Sequence, residues 1–439
     1  MTIYRCTVFD TPGELGDDLR TDQDCGLVVH DGVIQARADF ARSRADYPDD
    51  EVIDLREGIL LPGLVDTHVH YPQARIIGGL GMPLLQWLDN CALPEESRLA
   101  QPSYAREVAQ DFLSGLIGAG TTTALVFGSH FPDAMDIFFS EAAASGLRIT
   151  SGLVVSDRGL RDDLLVSPEQ ALAFGQDLAA TWHGQGRLRY AVTPRFSLST
   201  TSEMLEACAE LLTAVPPAQA EGENLWFTSH VNENPDEIAG VGRLFPEAAD
   251  YTSTYAHHGL VTPQSVLAHN VHPTAPELDM LAQASASVAH CPSSNFALGS
   301  GLFPLREHLQ AGVQVGLGSD VGAGTGFSML KEGLQTYKGQ QLLGERGAHL
   351  GSPDLLHLVT RSGAQALGMA NHVGALSVGM QFDAVWIQPQ AGSTFESTVR
   401  HARDPEDVLA KVFALGAPTD VSTVWVGGQE VRSPHVAMV

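Results

Sequence analysis

Side chains of the types that bind metals stand where several short apolar runs of this sequence end. The four that matter most are His68, His70, His230 and Asp320. Alternate residues of a strand point to the same face, so His68 and His70 place both imidazoles in one space. Two imidazoles, a third from a later strand and a carboxylate form a mixed nitrogen and oxygen site, which is typical of a divalent metal. A lone His-x-His pair is more often a surface or packing feature, but four matched strand ends favour the metal site.

Glu233 is a candidate proton carrier beside these residues. It lies three residues after His230, where Asn234-Pro235 turns the chain. Taken alone, such a glutamate is a solvated loop residue or a helix cap. Next to a metal it can move a proton to the leaving group, which hydrolysis requires.

The scarcity of lysine limits the kind of metal site. The sequence has only three lysines, and all follow residue 330: Lys331, Lys338 and Lys411. Some metal-dependent hydrolases bridge two metals with a carboxylated lysine on a middle strand of a barrel, and this chain has no lysine there. We therefore predict one metal per chain. Zn²⁺ suits the ligand types best, and Fe²⁺ is an alternative.

The middle of the chain alternates short β-branched runs with helical patterns, which is typical of a parallel α/β sheet. Eight strand-like runs are present: Ile59–His70, Thr121–Phe127, Leu147–Val155, Leu188–Arg195, Leu225–His230, Ser265–His269, Ala286–His290 and Val313–Asp320. Ser103–Ala119 and Ser202–Ala214 are predicted helices between them. A (β/α)₈ TIM-like barrel carries its chemistry at the carboxyl ends of its strands, which is where the polar residues stand.

Both ends of the chain have β patterns instead. Asp31-Gly32 and Gly427-Gly428 are two-residue turns of the kind that join hairpin strands. We predict a small β-sandwich domain built from both termini, residues 1–61 and 374–439. Residues 62–373 form the barrel.

The composition excludes several classes of function. Asp and Glu number 52 against 25 Lys and Arg, and the net charge of −27 argues against a nucleic-acid or anionic-membrane surface. Five scattered cysteines without C-x-x-C spacing predict reduced thiols and a cytoplasmic location. No targeting or membrane-spanning segment is predicted. Motifs of serine hydrolases and phosphate-binding loops are absent from the sequence.

Four motifs together resemble the amidohydrolase superfamily: Pro62-Gly-Leu-Val-Asp-Thr-His-Val-His70, His230-Val-Asn-Glu233, His269 and Gly318-Ser-Asp320. The resemblance implies a metal-dependent barrel with a β-sandwich made from both termini. It also implies Zn²⁺ bound by His68, His70, His230 and Asp320. Glu233, His269 and Asp320 would be the catalytic residues around the bound water.

Further motifs resemble the members of this superfamily that deaminate guanine: Pro72-Gln73, Leu85-Gln-Trp-Leu88, Thr193-Pro-Arg-Phe-Ser-Leu198, His290-Cys-Pro-Ser-Ser-Asn295 and Gly316-Leu-Gly-Ser-Asp-Val-Gly-Ala-Gly-Thr325. This narrower resemblance implies hydrolysis of guanine to xanthine and ammonia by a homodimer. The implied substrate contacts are Gln73, Trp87, Arg195, Phe196 and His269. The segments Asn90–Pro94 and Asn270–His272 depart from the common pattern, so the resemblance does not extend to the shape of the pocket wall.

Two alternatives remain open. One is a mononuclear amidohydrolase that deaminates a different purine, a pterin or a triazine. The other is a metal-free binding protein on a degenerate barrel, which the complete set of ligands disfavours. A comparison of activity on guanine, adenine, cytosine and melamine separates these possibilities.

Overall fold

The computed structural model describes residues 1–214 and 224–432. The strands of this part are β1 (Thr2–Asp10), β2 (Arg20–His30), β3 (Val33–Asp39), β4 (Glu51–Pro62), β5 (Leu64–His70), β6 (Thr121–Phe127), β7 (Arg148–Gly152), β8 (Val154–Val155), β9 (Leu188–Pro194), β10 (Trp226–Val231), β11 (Ser265–His269), β12 (Ser287–His290), β13 (Gln314–Leu317), β14 (Ala384–Ile387), β15 (Val421–Val426) and β16 (Gln429–Val431). They form two separate sheets.

The helices alternate with the barrel strands and continue past them. They are α1 (Phe40–Asp46), α2 (Leu84–Trp87), α3 (Leu93–Ser97), α4 (Pro102–Gly118), α5 (Pro132–Ser145), α6 (Pro168–Trp182), α7 (Ser202–Ala214), α8 (Pro235–Leu244), α9 (Tyr251–Ala256), α10 (Ala275–Gln283), α11 (Pro292–Ala297), α12 (Leu305–Ala311), α13 (Met329–Leu342), α14 (Ser352–Val359), α15 (Arg361–Ala366), α16 (Thr394–Arg400) and α17 (Pro405–Leu415). Helix α7 matches its predicted bounds, and α4 differs from them by one residue at each end. Among the residues described, no helix combines the length and the apolar character needed to cross a membrane.

The barrel sheet runs in the order β13-β12-β11-β10-β9-β7-β6-β5, with β8 pairing β9 beside this path. Its strand pairs are parallel. The first and last strands meet, because Thr67 Oγ1 donates to the carbonyl of Leu317 at 2.9 Å and the amide of Asp320 donates to the carbonyl of His68 at 2.9 Å. The predicted (β/α)₈ barrel is therefore confirmed.

The terminal strands form a second sheet in the order β16-β15-β14-β4-β1-β2-β3. Tyr4 of β1 lies 5.6 Å from Trp425 of β15 between ring centroids, although β4 and β14 separate these strands in the sheet. Neighbouring strands are about 4.8 Å apart, so this contact requires the sheet to curl over its own apolar face. The two ends of the chain thus share one core, as predicted.

The first predicted run, Ile59–His70, is wrong in one respect because it spans both sheets. Residues 59–62 belong to β4 and pair with β14, and the barrel begins after Gly63. A Cβ at Gly63 would lie 2.2 to 2.8 Å from the side-chain atoms of Thr122, so only glycine fits at this crossing. The domain bounds 1–61, 62–373 and 374–439 stay a prediction, and residues 433–439 lie outside the described part.

The crossing at Gly63 leads to a first prediction. Gly63→Ala should lower the free energy of unfolding by about 1–3 kcal/mol, because Cβ, Oγ1 and Cγ2 of Thr122 all obstruct the new methyl group and rotation cannot remove all three. A thermal unfolding scan measures the shift. Adding Thr122→Ala should recover part of the loss.

Gly242→Ala is the matched control. Gly242 lies in α8, and no atom beyond its own stretch of helix lies within 4 Å of its ideal Cβ, so alanine should stabilise the helix by about 0.5–1 kcal/mol. Equal Tm values for wild type and Gly63→Ala would contradict the steric argument.

Candidate active site

Four side chains converge at the carboxyl end of the barrel. His68 and His70 end β5, His230 lies in β10, and Asp320 follows β13. The Nε2 atoms of His68 and His70 are 3.2 Å apart, and those of His70 and His230 are 3.3 Å apart. Asp320 Oδ1 lies 3.4 Å from His68 Nε2 and 3.3 Å from His70 Nε2. The four predicted ligands therefore surround one point.

The protonation states of the histidine rings are those that metal binding requires. His230 Nδ1 donates to the backbone carbonyl of Arg195 at 2.6 Å, so its Nε2 carries the lone pair that faces the cluster. Burial lowers the pKa of His68 to about 3 and that of His230 well below its usual range, so both rings are neutral. Converging lone pairs beside a carboxylate repel one another, and a divalent cation among them removes that repulsion.

Cys291 also lies near this cluster. Its Sγ lies within 4.8 Å of a ring nitrogen of His68 and of a ring nitrogen of His269. Burial raises the pKa of the Cys291 thiol well above its usual range, so the sulfur stays protonated. A thiol is a poor metal ligand and a poor nucleophile, because the thiolate is the reactive form.

Glu233 and His269 stand on the open side of the cluster. His269 Nε2 lies 3.5 Å from Glu233 Oε2 and 3.9 Å from Asp320 Oδ2. Burial, reinforced by the negative charge of Asp320, raises the pKa of Glu233 to about 8, so this carboxyl can carry a proton at neutral pH. Glu233 is thus a buried residue, and the alternative of a solvated loop glutamate is wrong.

Neighbouring residues hold this pair in place. The backbone amide of Glu233 donates to Glu237 Oε2 at 3.2 Å, and the Ser300 hydroxyl donates to Glu233 Oε1 at 3.2 Å. His269 Nδ1 donates to Asn295 Oδ1 at 3.0 Å, which leaves the Nε2 lone pair facing the cluster. Glu237 also caps α8, so the start of that helix fixes the position of Glu233.

The backbone is strained at two of these positions. His269 has φ of 72° and Asp320 has φ of 48°, in the left-handed region that costs non-glycine residues about 1–3 kcal/mol. Asp66 supports the second turn, since its Oδ1 accepts the amides of His68 at 3.2 Å and Ser319 at 3.0 Å. Such strain persists only where the surrounding structure holds it.

The cluster forms one end of a cavity of about 360 Å³. Nine of the ten predicted site residues line it: His70, Gln73, Trp87, Arg195, Phe196, His230, Glu233, His269 and Asp320. His68 lies fully buried behind them. Four further lining residues carried no polar signal in the sequence, namely Leu84, Leu88, Leu298 and Ala323.

A residue that the sequence did not reveal lies behind the polar wall of the cavity. Glu96 Oε1 accepts from Gln73 Nε2 at 2.7 Å, and Glu96 Oε2 accepts from Arg195 Nη1 at 2.5 Å. His130 Nε2 lies 3.4 Å from the same Oε2. Arg195 is therefore both an ion-pair residue and a pocket residue. The only available signal for Glu96 was its place in Pro94-Glu-Glu96, and His130 merely follows a strand.

The fold and the converging ligands define a barrel protein of the metal-dependent hydrolase class. The model of the Amidohydrolase family matches residues 59–431. A probable guanine deaminase of Deinococcus radiodurans is 58% identical over 436 residues, covering 98% of each chain.

Solved structures agree with this relation. Guanine deaminase of E. coli has a TM-score of 0.93 at 33% identity and covers 99% of this chain and 100% of its own. A guanine deaminase of C. acetobutylicum, solved with guanine bound in its active site, has a TM-score of 0.89 at 26% identity, covering 98% and 99%. The chain belongs to the amidohydrolase family.

The geometry predicts the metal content. Purified protein should carry about one divalent metal ion per chain, and His230→Ala should lose it, because that change removes a ligand and its lone pair. Plasma emission spectroscopy gives the stoichiometry. His257→Ala changes an exposed histidine and should keep the metal. Two tightly bound ions per chain would contradict the mononuclear site.

Proposed function

We propose that this protein hydrolyses guanine to xanthine and ammonia with one zinc ion per chain. The proposal rests on a single arrangement: a guanidinium, an amide and a protonated carboxyl surround the metal-ligand cluster in one small cavity. A purine base offers polar edges and an apolar face, which such a cavity can satisfy. The bound guanine in the C. acetobutylicum relative supports the same choice of substrate.

His68, His70, His230 and Asp320 would hold the metal. When bound, a divalent ion such as Zn²⁺ lowers the pKa of a water molecule to about 7. Asp320 would accept a proton from the attacking water, and His269 Nε2 would accept a hydrogen bond that orients the water oxygen.

Glu233 would serve the substrate side of the reaction. It delivers a proton to N3 of guanine, which makes C2 electrophilic, and the water oxygen forms a bond to C2. The C2–N bond to the amino group then breaks, and the proton held by Asp320 leaves with that group as ammonia. The remaining proton on the C2 hydroxyl returns to Glu233, which forms the C2 carbonyl of xanthine and restores the protonated carboxyl. The balance is one guanine and one water consumed for one xanthine and one ammonia.

The remaining lining residues would select the base. Arg195 offers donors to the carbonyl oxygen at C6, and Gln73 offers a donor and an acceptor to a purine edge. Trp87 and Phe196 belong to one buried apolar cluster with Leu84, Leu88 and Leu298, which suits the flat faces of the ring. This division places the charged contacts at one edge of the base and the apolar contacts along its faces.

We also propose that the protein is a cytoplasmic homodimer. The five cysteines are all free, which suits a reducing compartment. The dimer rests on the family resemblance alone. Light scattering on purified protein measures the mass, and a monomer at micromolar concentration would contradict it.

A spectrophotometric assay tests the proposed reaction. Guanine absorbance should fall with release of one ammonia per xanthine, while adenine, cytosine and melamine stay unchanged. Turnover of melamine or a pterin without turnover of guanine would favour the alternative amidohydrolase reaction.

Glu233→Gln separates proton transfer from metal binding. The amide keeps the size and polarity of the side chain but cannot give up a proton, so kcat should fall about 10²–10⁴-fold. Metal content should stay unchanged, as plasma emission can verify. Glu247→Gln, on the exposed surface, should leave kcat unaltered. A Glu233→Gln enzyme that keeps wild-type kcat would exclude the proposed proton transfer.

Arg195→Met tests the selection of the base. Guanidinium donors satisfy a carbonyl at C6 but leave an amino group unpaired, so wild-type kcat/KM should favour guanine over adenine by about 10⁴-fold or more. The methionine variant should lose most guanine activity with its metal retained. It should gain no activity on adenine, whose amino group lies at C6 instead of C2. Normal guanine turnover by this variant would exclude the recognition role.

A further inference from the structure

Glu96 is a buried carboxylate that does not line the cavity yet contacts the residues that do. It lies in α3, after a π-helical turn over Leu88–Ala92. Turns of this kind occur frequently at functional sites. Its two oxygens accept from Gln73 Nε2 at 2.7 Å and from Arg195 Nη1 at 2.5 Å.

The charge of Glu96 fixes the orientation of the Gln73 amide. Burial by itself raises the pKa of Glu96, but Arg195 and His130 hold the pKa well below its usual range, so the carboxylate is ionised. An ionised carboxylate only accepts hydrogen bonds. Gln73 must therefore present its NH₂ group to Glu96, and its Oε1 accepts the amide of Gly322 at 3.2 Å. A flipped amide would set oxygen against oxygen and N–H against N–H.

Glu96 fixes Arg195 in a similar way. The backbone carbonyl of Arg195 accepts a hydrogen bond from His230, and the side chain of Arg195 donates one to the carboxylate of Glu96. Arg195 is therefore held at both its backbone and its guanidinium. A guanidinium has five N–H donors, and the carboxylate occupies one nitrogen. The other donors of Arg195 stay available to the cavity that this residue lines.

The contacts of Glu96 also join separate parts of the fold. Gln73 follows the first barrel strand, His130 the second and Arg195 the strand β9. Glu96 itself belongs to the segment 84–97, which carries the apolar wall residues Leu84, Trp87 and Leu88. One carboxylate therefore connects the apolar wall to the polar edge of the cavity.

We propose that Glu96 is a positioning residue for substrate recognition, acting through Gln73 and Arg195 without touching the base. It fixes the donors that meet the carbonyl edge of the purine and ties them to the wall segment 84–97. This role rests on the proposed function, because it concerns the same cavity and substrate.

Glu95 provides a matched control one residue away. It is also a buried glutamate of α3, and its carboxylate contacts Tyr104 and Arg98 rather than the cavity residues. Glu96→Gln should lower kcat/KM for guanine about 10²-fold, with most of the change in KM, because the donors are misplaced while the catalytic groups remain. Glu95→Gln should leave kcat and KM within about threefold of wild type, even if its Tm falls.

A double-mutant cycle distinguishes positioning from a general structural role. If Glu96 acts through Arg195, Glu96→Gln should cost at least tenfold less in an Arg195→Met background than in wild type. Equal losses in both backgrounds would overturn the inference, as would wild-type KM in Glu96→Gln. Metal content and Tm are measured for every variant.

Glu96→Asp covers the case in which Glu96→Gln does not fold. It keeps the charge, but the shorter side chain cannot reach Gln73 and Arg195 together, so KM should again rise. A wild-type KM in this variant overturns the inference. Failure of the proposed function has a different signature, because wild type and Glu95→Gln would then also fail to deaminate guanine.

Discussion

The structure depends on holding four buried electron-pair donors against their mutual repulsion. The Nε2 atoms of His68, His70 and His230 and the carboxylate of Asp320 lie within about 3.5 Å of their neighbours, as the contacts above show. In water such groups would turn apart. Here the three histidines lie at the ends of paired barrel strands, and the amide of Asp320, which follows β13, donates to the carbonyl of His68. The backbone therefore cannot relax without breaking these pairings. The rigidity of the barrel thus supplies the site that a cation completes.

The supporting residues explain how the open side of this cluster stays ordered. His269 and Asp320 adopt left-handed φ values that would relax in a free loop. Asn295 accepts a hydrogen bond from the ring of His269, and Asp66 accepts one from the backbone amide of Ser319, in the turn before Asp320. The polar groups behind the reacting residues therefore fix the positions of those residues. Substitution of these supporting groups should disorder the geometry of the site before it alters the charge of the reacting groups.

Sequence reasoning succeeded where the signal is local. The histidines at strand ends and the hairpin turn at Asp31-Gly32, with φ of 48° and 78°, follow from spacing and residue type. It failed at Ile59–His70, because a continuous apolar run does not show where a chain leaves one sheet for another. It also missed Glu96. The role of this residue comes from its contact with Arg195, which is 99 residues away in the sequence, and a contact at that separation produces no periodic pattern of residue types.

The pairing of β4 with β14 has a consequence for synthesis of the chain. Ile59–Pro62 pair with Ile387–Ala384, about 320 residues later in the sequence. At roughly 5–20 residues per second, this apolar edge waits about 15–65 s on the ribosome for its partner strand. Unpaired edges of this kind bind other chains. The yield of soluble protein should therefore depend on how well chaperones protect β4 during that interval.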